Sequence, residues 1–149
     1  MSDKDVVLAP NHWDLLRDGD MDLISAPIDF FGVNYYNPVR SGVIEKDTGA
    51  GVLERTHEVL EVQPDVMSTD MGREVYSQGL ADLVAWLQQD YSGIHAIIIT
   101  ENGAAFPDHL EAGEEVTDVL RIQYLQGHIQ VIANRIKQGR CAPINGYFA

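Results

Sequence analysis

The run Ile97-Ile98-Ile99-Thr100-Glu101-Asn102-Gly103 sets a carboxylate between β-branched apolar residues and a turn dipeptide. A parallel strand displays an acid or a nucleophile in this way. Ile97, Ile98 and Ile99 show no polar alternation and suit a strand buried on both faces, and Asn102-Gly103 ends it. Functional residues in parallel α/β folds collect at the carboxyl ends of strands, which makes Glu101 the leading candidate for chemistry. A second segment, Ile28-Asp29-Phe30-Phe31-Gly32-Val33-Asn34-Tyr35-Tyr36, follows Pro27 and is closed by Asn37-Pro38. It too ends in polar side chains, among them Asn34 and Tyr36.

The elements that must position these residues can be read from periodicity. Apolar residues at Tyr76, Leu80, Leu83, Val84 and Leu87 predict one face of a helix, stopped by Gly93. A second stripe, Ile122, Leu125, Ile129, Ile132 and Ile136, predicts a longer helix with Asp118 as N-cap and Gly139 as its stop. Ala142 to Ala149 reads as a third strand. The stretch from Pro38 to Gly72 has the weakest pattern and is expected to be a long excursion holding a short hairpin. The order is then strand, excursion, helix, strand, loop, helix, strand, which makes two βαβ units with right-handed crossovers. Such units belong to doubly wound sheets or to (β/α) barrels.

The chain has 149 residues, 45% of them hydrophobic and 8% aromatic, a composition that fits one globular domain. A formal charge of -13 excludes a nucleic-acid partner and an anionic membrane surface as expectations. No apolar run approaches spanning length, and the charged start Met1-Ser2-Asp3-Lys4-Asp5 leads into no signal-type core, so a cytoplasmic location is expected. Cys141 is alone and no Asn-x-Ser/Thr site occurs, which suits a reducing compartment.

Other chemistries find little support. Asp47-Thr48-Gly49 has no second copy, as an aspartic protease would need, and Gly49-Ala50-Gly51 lacks the strand and helix that flank a phosphate loop. His12, His57, His95, His109 and His128 include no i, i+4 pair and have no cysteine nearby, so neither a metal nor a cofactor is expected, and each reads as a surface or core histidine. Trp13 and Trp86 read as packing residues.

Five segments together resemble family 1 glycoside hydrolases, the β-glucosidase, 6-phospho-β-glucosidase and β-galactosidase family. Phe31-Gly32-Val33-Asn34-Tyr35-Tyr36 resembles that family's sixth barrel strand, and Ile99-Thr100-Glu101-Asn102-Gly103 its seventh. Asp70-Met71-Gly72-Arg73-Glu74-Val75-Tyr76 with Gly79-Leu80 is similar to the entry into the sixth helix, with Arg73 where a tryptophan is usual. Asp118 to Leu125 and Gly146-Tyr147-Phe148-Ala149 resemble the seventh helix and the start of the eighth strand. The resemblance implies a partial (β/α)8 TIM barrel of about three parallel strands, barrel strands 6 to 8, with two long helices, and a single incomplete barrel domain over residues 1–149.

It also implies roles. Glu101 would be the nucleophile of a retaining β-glycosidase, with Tyr36 donating a hydrogen bond that orients it. Asn34 and Asn102 would line the pocket that binds a β-glycoside substrate, whereas Arg121 and Tyr124 fit structural helix positions. Retention needs a second carboxyl roughly 5 Å from the first. The family carries it in an Asn-Glu-Pro motif after the fourth strand, and this chain contains neither Asn-Glu nor Glu-Pro. The expectation is a carboxyl-side fragment that holds the nucleophile, lacks the acid/base and is inactive alone. Its open strand edges would favour self-association or pairing with an amino-terminal half.

Overall fold

The computed structural model describes residues 16–47, 53–59, 65–110, 113, 115–139 and 143–149, with only the backbone given for 41–47 and 53–59. Trp13, Cys141 and the glycine-rich stretch Thr48 to Gly51 lie outside these residues. The elements run α1 (Asp20–Ile24), β1 (Phe31–Asn34), β2 (Ser41–Asp47), β3 (Leu53–Val59), α2 (Ser77–Asp90), β4 (Ile97–Glu101), α3 (Val119–Lys137) and β5 (Ile144–Tyr147).

Three strands form one parallel sheet in the order β1-β4-β5, and β2 with β3 makes a separate antiparallel hairpin. Helix α2 joins β1 to β4 and α3 joins β4 to β5, so the two expected βαβ units are present. The weakly patterned excursion resolves into the β2–β3 hairpin, with Ser41 opposite Val59 and Asp47 opposite Leu53. The short helix α1 was not legible as a periodic stripe.

Burial explains why these segments fold as they do. One face of the sheet supplies Val33, Tyr35, Ile97 and Ile99, and α2 supplies Leu80, Val84 and Leu87 from its predicted stripe. Ile132 of α3 completes this core. Each such aliphatic side chain contributes about 1.5–3 kcal/mol on burial. The other face of the sheet is different: Gly32, Asn34 and Tyr36 alternate with the core residues and are exposed, and Ile98 and Thr100 are only half-buried. The strand carrying Glu101 is therefore buried on one face, not on both as its apolar run implied.

Helix α3 departs further from its sequence pattern. Its buried residues are Tyr124, His128 and Ile132, spaced i, i+4, i+8, while Ile122, Ile129 and Ile136 are 60%, 50% and 50% exposed. Polar atoms do not bar Tyr124 and His128 from the interior: the Tyr124 hydroxyl donates to the Tyr36 carbonyl at 2.7 Å, and His128 Nδ1 lies 2.8 Å from the Tyr124 carbonyl oxygen, while His128 Nε2 is buried without a partner among the described residues. The two rings stack with centroids 4.0 Å apart. Ile129 and Ile136 instead line a groove with Ile144 and Tyr147 beside β5. Asp118 stands at the N-cap position but makes no capping bond, since its carboxylate pairs with Arg121. Gly139 ends the helix at a φ of 63° and donates to the Ile136 carbonyl at 3.0 Å. Trp86 stacks edge-on against Tyr91 and remains half exposed rather than packed inside.

Among the described residues no helix is long and apolar enough to cross a membrane.

Sheet and helix meet most closely at Gly79 in the first turn of α2. A Cβ there would lie 2.2 Å from the Tyr35 hydroxyl and 2.8 Å from the Tyr76 ring, and the hydroxyl is pinned by its 2.6 Å bond to the Tyr76 carbonyl. Gly79→Ala is expected to destabilise the chain by about 1–3 kcal/mol, in spite of alanine's better helix propensity. In a Tyr35→Phe background, which removes the nearest atom, the same substitution should cost less, and urea unfolding of the four proteins of this cycle measures the difference.

Candidate active site

The carboxyl ends of β1 and β4 lie side by side. Val33 pairs with Ile99, and an irregularity after Val33 then brings Asn34 opposite Glu101 rather than Thr100. The Tyr35 amide donates to the Glu101 carbonyl at 3.0 Å, which fixes the two strand ends in this register. Thr100, displaced by the shift, donates from its hydroxyl to Asn34 Oδ1 at 2.5 Å.

Two residues further along β1, the Tyr36 hydroxyl donates to Glu101 Oε2 at 2.6 Å. This hydrogen bond raises the Tyr36 pKa above its ordinary value, because ionisation would place a phenolate against a carboxylate. Both side chains are exposed, Tyr36 by 47%. Sequence reasoning named both residues, and the fold brings them into contact across 65 positions of chain.

Asn102 sits differently. It is only 3% exposed, and its amide is engaged inward: Nδ2 donates to the Tyr35 carbonyl at 2.7 Å and lies 3.1 Å from the Tyr124 hydroxyl oxygen. Its Oδ1 accepts from the Tyr147 hydroxyl at 2.5 Å. Both amide protons are thereby used inside the protein. The Tyr124 hydroxyl passes its own proton to the Tyr36 carbonyl, so one network joins the ends of β1, β4 and β5 to α3. Burial is the first cause that pushes the Tyr124 and Tyr147 hydroxyls up to about 12. Tyr147 carried no sequence signal of this role, and Thr100 none of its own.

A cleft of about 730 Å³ opens over these strand ends. Asn34, Tyr36 and Asn102 line it, with Gly103, Ala104 and Ala105 from the loop after β4 and Val39, Thr69, Met71 and Arg73 from the segment before α2. Ion pairs hold both margins. Arg121 donates to the Ala104 carbonyl at 3.2 Å and pairs with Asp118 and Asp108, which ties the loop to α3. Arg40 grips the buried Glu74 through two bonds of 2.6 and 2.7 Å, and these hold the Glu74 carboxyl below the usual range. Arg121 and Tyr124 thus occupy structural positions, as their place on the helix implied.

Comparison with known proteins gives one answer. The model for glycosyl hydrolase family 1 matches residues 9–149. The chain is 33% identical over 146 residues to a bifunctional β-D-glucosidase/β-D-fucosidase of Bifidobacterium breve, covering 92% of this chain and 31% of that protein. It is 36% identical over 137 residues to a 6-phospho-β-galactosidase of Staphylococcus aureus, covering 80% of this chain and 28% of that one. The crystal structure of a β-glucosidase from Exiguobacterium marinum superposes with a TM-score of 0.72 at 34% identity, over 91% of this chain and 28% of the enzyme. The three parallel strands are therefore part of a TIM barrel, and the chain spans about 30% of the length of these relatives.

The buried tyrosines make the network sensitive to alkali. In the unfolded chain tyrosines ionise near their ordinary value of 10.0, whereas Tyr124 and Tyr147 stay protonated to about 12. A raised folded-state pKa gives stability that is complete below pH 10 and is lost as pH rises through 12. The urea midpoint is expected to fall between pH 9 and pH 11, and Tyr147→Phe should flatten that fall.

Proposed function

Because the chain belongs to glycosyl hydrolase family 1, we propose that it is the nucleophile-bearing part of a retaining β-glycosidase, one incomplete barrel domain with Glu101 as the nucleophile. The observation that carries this reading is the 2.6 Å bond from Tyr36 to Glu101 at the ends of adjacent parallel strands. Held by one oxygen, the carboxylate keeps the other for attack on an anomeric carbon. The attack forms a glycosyl ester as the glycosidic C–O bond breaks, and the departing oxygen takes up a proton to leave as the alcohol; water then breaks the ester with the same proton-handling group acting as base.

Asn34 faces the cleft and serves the sugar. Asn102 acts as a positioning residue instead of a sugar ligand, since its amide protons are spent on Tyr35 and Tyr124. The relatives carry β-glucosidase, β-fucosidase and 6-phospho-β-galactosidase names, and a β-glycoside is the substrate common to them. Among the described residues no aspartate or glutamate, Glu101 included, lines the cleft itself; Glu101 stands beside it, hydrogen-bonded to the lining residue Tyr36. The resemblance puts the proton donor in an Asn-Glu-Pro motif that this sequence does not contain, so the donor comes from another segment and the chain alone is inactive.

A second feature supports a complementing role. The half-exposed Ile129 and Ile136 form an apolar groove with Ile144 and Tyr147, and among the described residues β5 pairs on one side only. In a chain that spans about 30% of a barrel enzyme, the occupant that fits is the remaining set of barrel units.

One experiment addresses both points. Mixing the chain with the remaining parts of the Exiguobacterium marinum β-glucosidase, those on the amino and the carboxyl side of the matched segment, should give hydrolysis of an aryl β-glucoside that neither the chain nor those parts give alone. Glu101→Gln should abolish it, and Tyr36→Phe should lower it about tenfold, the worth of a hydrogen bond to a charged group. The double variant Ile129→Asp, Ile136→Asp should block assembly as well as turnover. Undiminished activity of the Glu101→Gln mixture overturns the nucleophile assignment, and turnover by the chain alone overturns the missing acid.

A further inference from the structure

Arg73 presents the one charged side chain among those lining the cleft, in a protein whose formal charge is -13. Its backbone is fixed while its guanidinium is not. The Thr69 amide donates to the Arg73 carbonyl at 2.8 Å, and the Arg73 amide donates back to Thr69 Oγ1 at 3.2 Å. Gly72 turns the chain between them at a φ of 68°, with its amide on the Thr69 carbonyl at 2.9 Å. Asp70 joins this turn to the loop after β4 through the Ala105 carbonyl at 2.9 Å, and the next residue, Glu74, is buried and clamped by Arg40.

The guanidinium itself makes no hydrogen bond or ion pair with any described residue. The contrast with the neighbouring cations is instructive. Arg40 is committed to Glu74 and Arg121 to Asp108 and Asp118, so these two serve the scaffold. Arg73 alone is held at the cleft by a rigid turn and left with five donors to offer. In the sequence it also replaces an aromatic residue usual in the family, so the departure exchanges an apolar surface for a fork that matches carboxylate, sulfate or phosphate oxygens.

We propose that Arg73 makes this cleft a receptor for β-glycosides that carry an anionic group. The proposal rests on the reading of the cleft as a glycoside site and adds the substrate class. The anion reaches Arg73 from either of two places, a leaving group bearing a carboxylate or a sugar bearing one, and the two share the same recognition chemistry. Neutral glycosides gain nothing from Arg73, whereas an anionic one gains an ion pair in a partly exposed cleft, worth up to about fivefold in affinity.

Titration of the full chain, followed by chemical-shift changes of backbone amides, tests this with three probes: phenyl β-D-glucoside, 4-carboxyphenyl β-D-glucoside and phenyl β-D-glucuronide. Benzoate serves as the control for charge without sugar. At least one anionic glycoside should bind about threefold to fivefold more tightly than the neutral one, and which one does so locates the anion. Arg73→Gln should erase the preference without weakening the neutral probe, Arg73→Lys should keep part of it, and added salt should reduce it. Equal binding of all three glycosides, or a preference that survives in Arg73→Gln, overturns the role of Arg73 and leaves the glycoside site standing. Binding of benzoate as tight as that of the carboxyphenyl glucoside overturns the glycoside class. If no glycoside perturbs the residues of the cleft, both the proposal and the reading beneath it fall.

Discussion

The amide of Asn102 holds more of this molecule together than its size suggests. It follows Glu101 directly, is almost wholly buried, and joins the Tyr35 carbonyl at the end of β1, the Tyr124 hydroxyl on α3 and the Tyr147 hydroxyl on β5. A buried polar group left without a partner costs about 1–3 kcal/mol, so the network favours one arrangement of these elements over slipped ones. Strand pairing alone would fix the sheet but not its ends. Here the residue beside the candidate nucleophile is locked to every neighbouring element, and the direction in which Glu101 leaves its strand follows from that lock.

The same network accounts for the unusual interior of α3. A helix that buried its isoleucine stripe would put Tyr124 and His128 in water and leave Asn102 and the Tyr36 carbonyl without their partners. Burying Tyr124 instead supplies a hydroxyl that donates to the Tyr36 carbonyl and accepts from Asn102. His128 stacks on that ring, and burial lowers its pKa below the ordinary value. The helix gives up apolar burial on one side to satisfy polar groups at the strand ends: of its isoleucine stripe Ile132 stays in the core, while Ile122, Ile129 and Ile136 remain exposed.

Sequence reasoning reached the parts of this structure that depend on local pattern. The two crossover helices and the stripe through Leu80, Val84 and Leu87 follow from periodicity, because burial on one face imposes it, and the parallel strands from short apolar runs closed by turn residues. The contact of Tyr36 with Glu101 was reached through family resemblance, since no spacing rule relates residues 65 positions apart. What escaped was set by tertiary context. The face of α3 could not be chosen by hydrophobicity, because a tyrosine with a satisfied hydroxyl buries as readily as isoleucine. Asn102 reads as a turn residue or as a pocket ligand until the partners of its amide are known. Thr100 gains its bond to Asn34 only through the register shift after Val33, which no residue announces.

The two faces of the sheet divide the labour of the candidate site. The helix-covered face, with Val33, Tyr35, Ile97 and Ile99, fixes the backbone, and the backbone fixes where Asn34, Tyr36 and Glu101 emerge on the other side. That geometry is complete within the chain. The strength of the interactions there is a separate matter, because Tyr36 and Glu101 are open to solvent and water competes for every hydrogen bond they make. A hydrogen bond of the same length gains strength when the surrounding dielectric falls, and preorganised dipoles stabilise a transition state most where water is excluded. Covering the inner face would therefore change the reactivity of Glu101 without moving it. Placement is built by the segment that carries Glu101, whereas electrostatic power depends on whatever closes over that face.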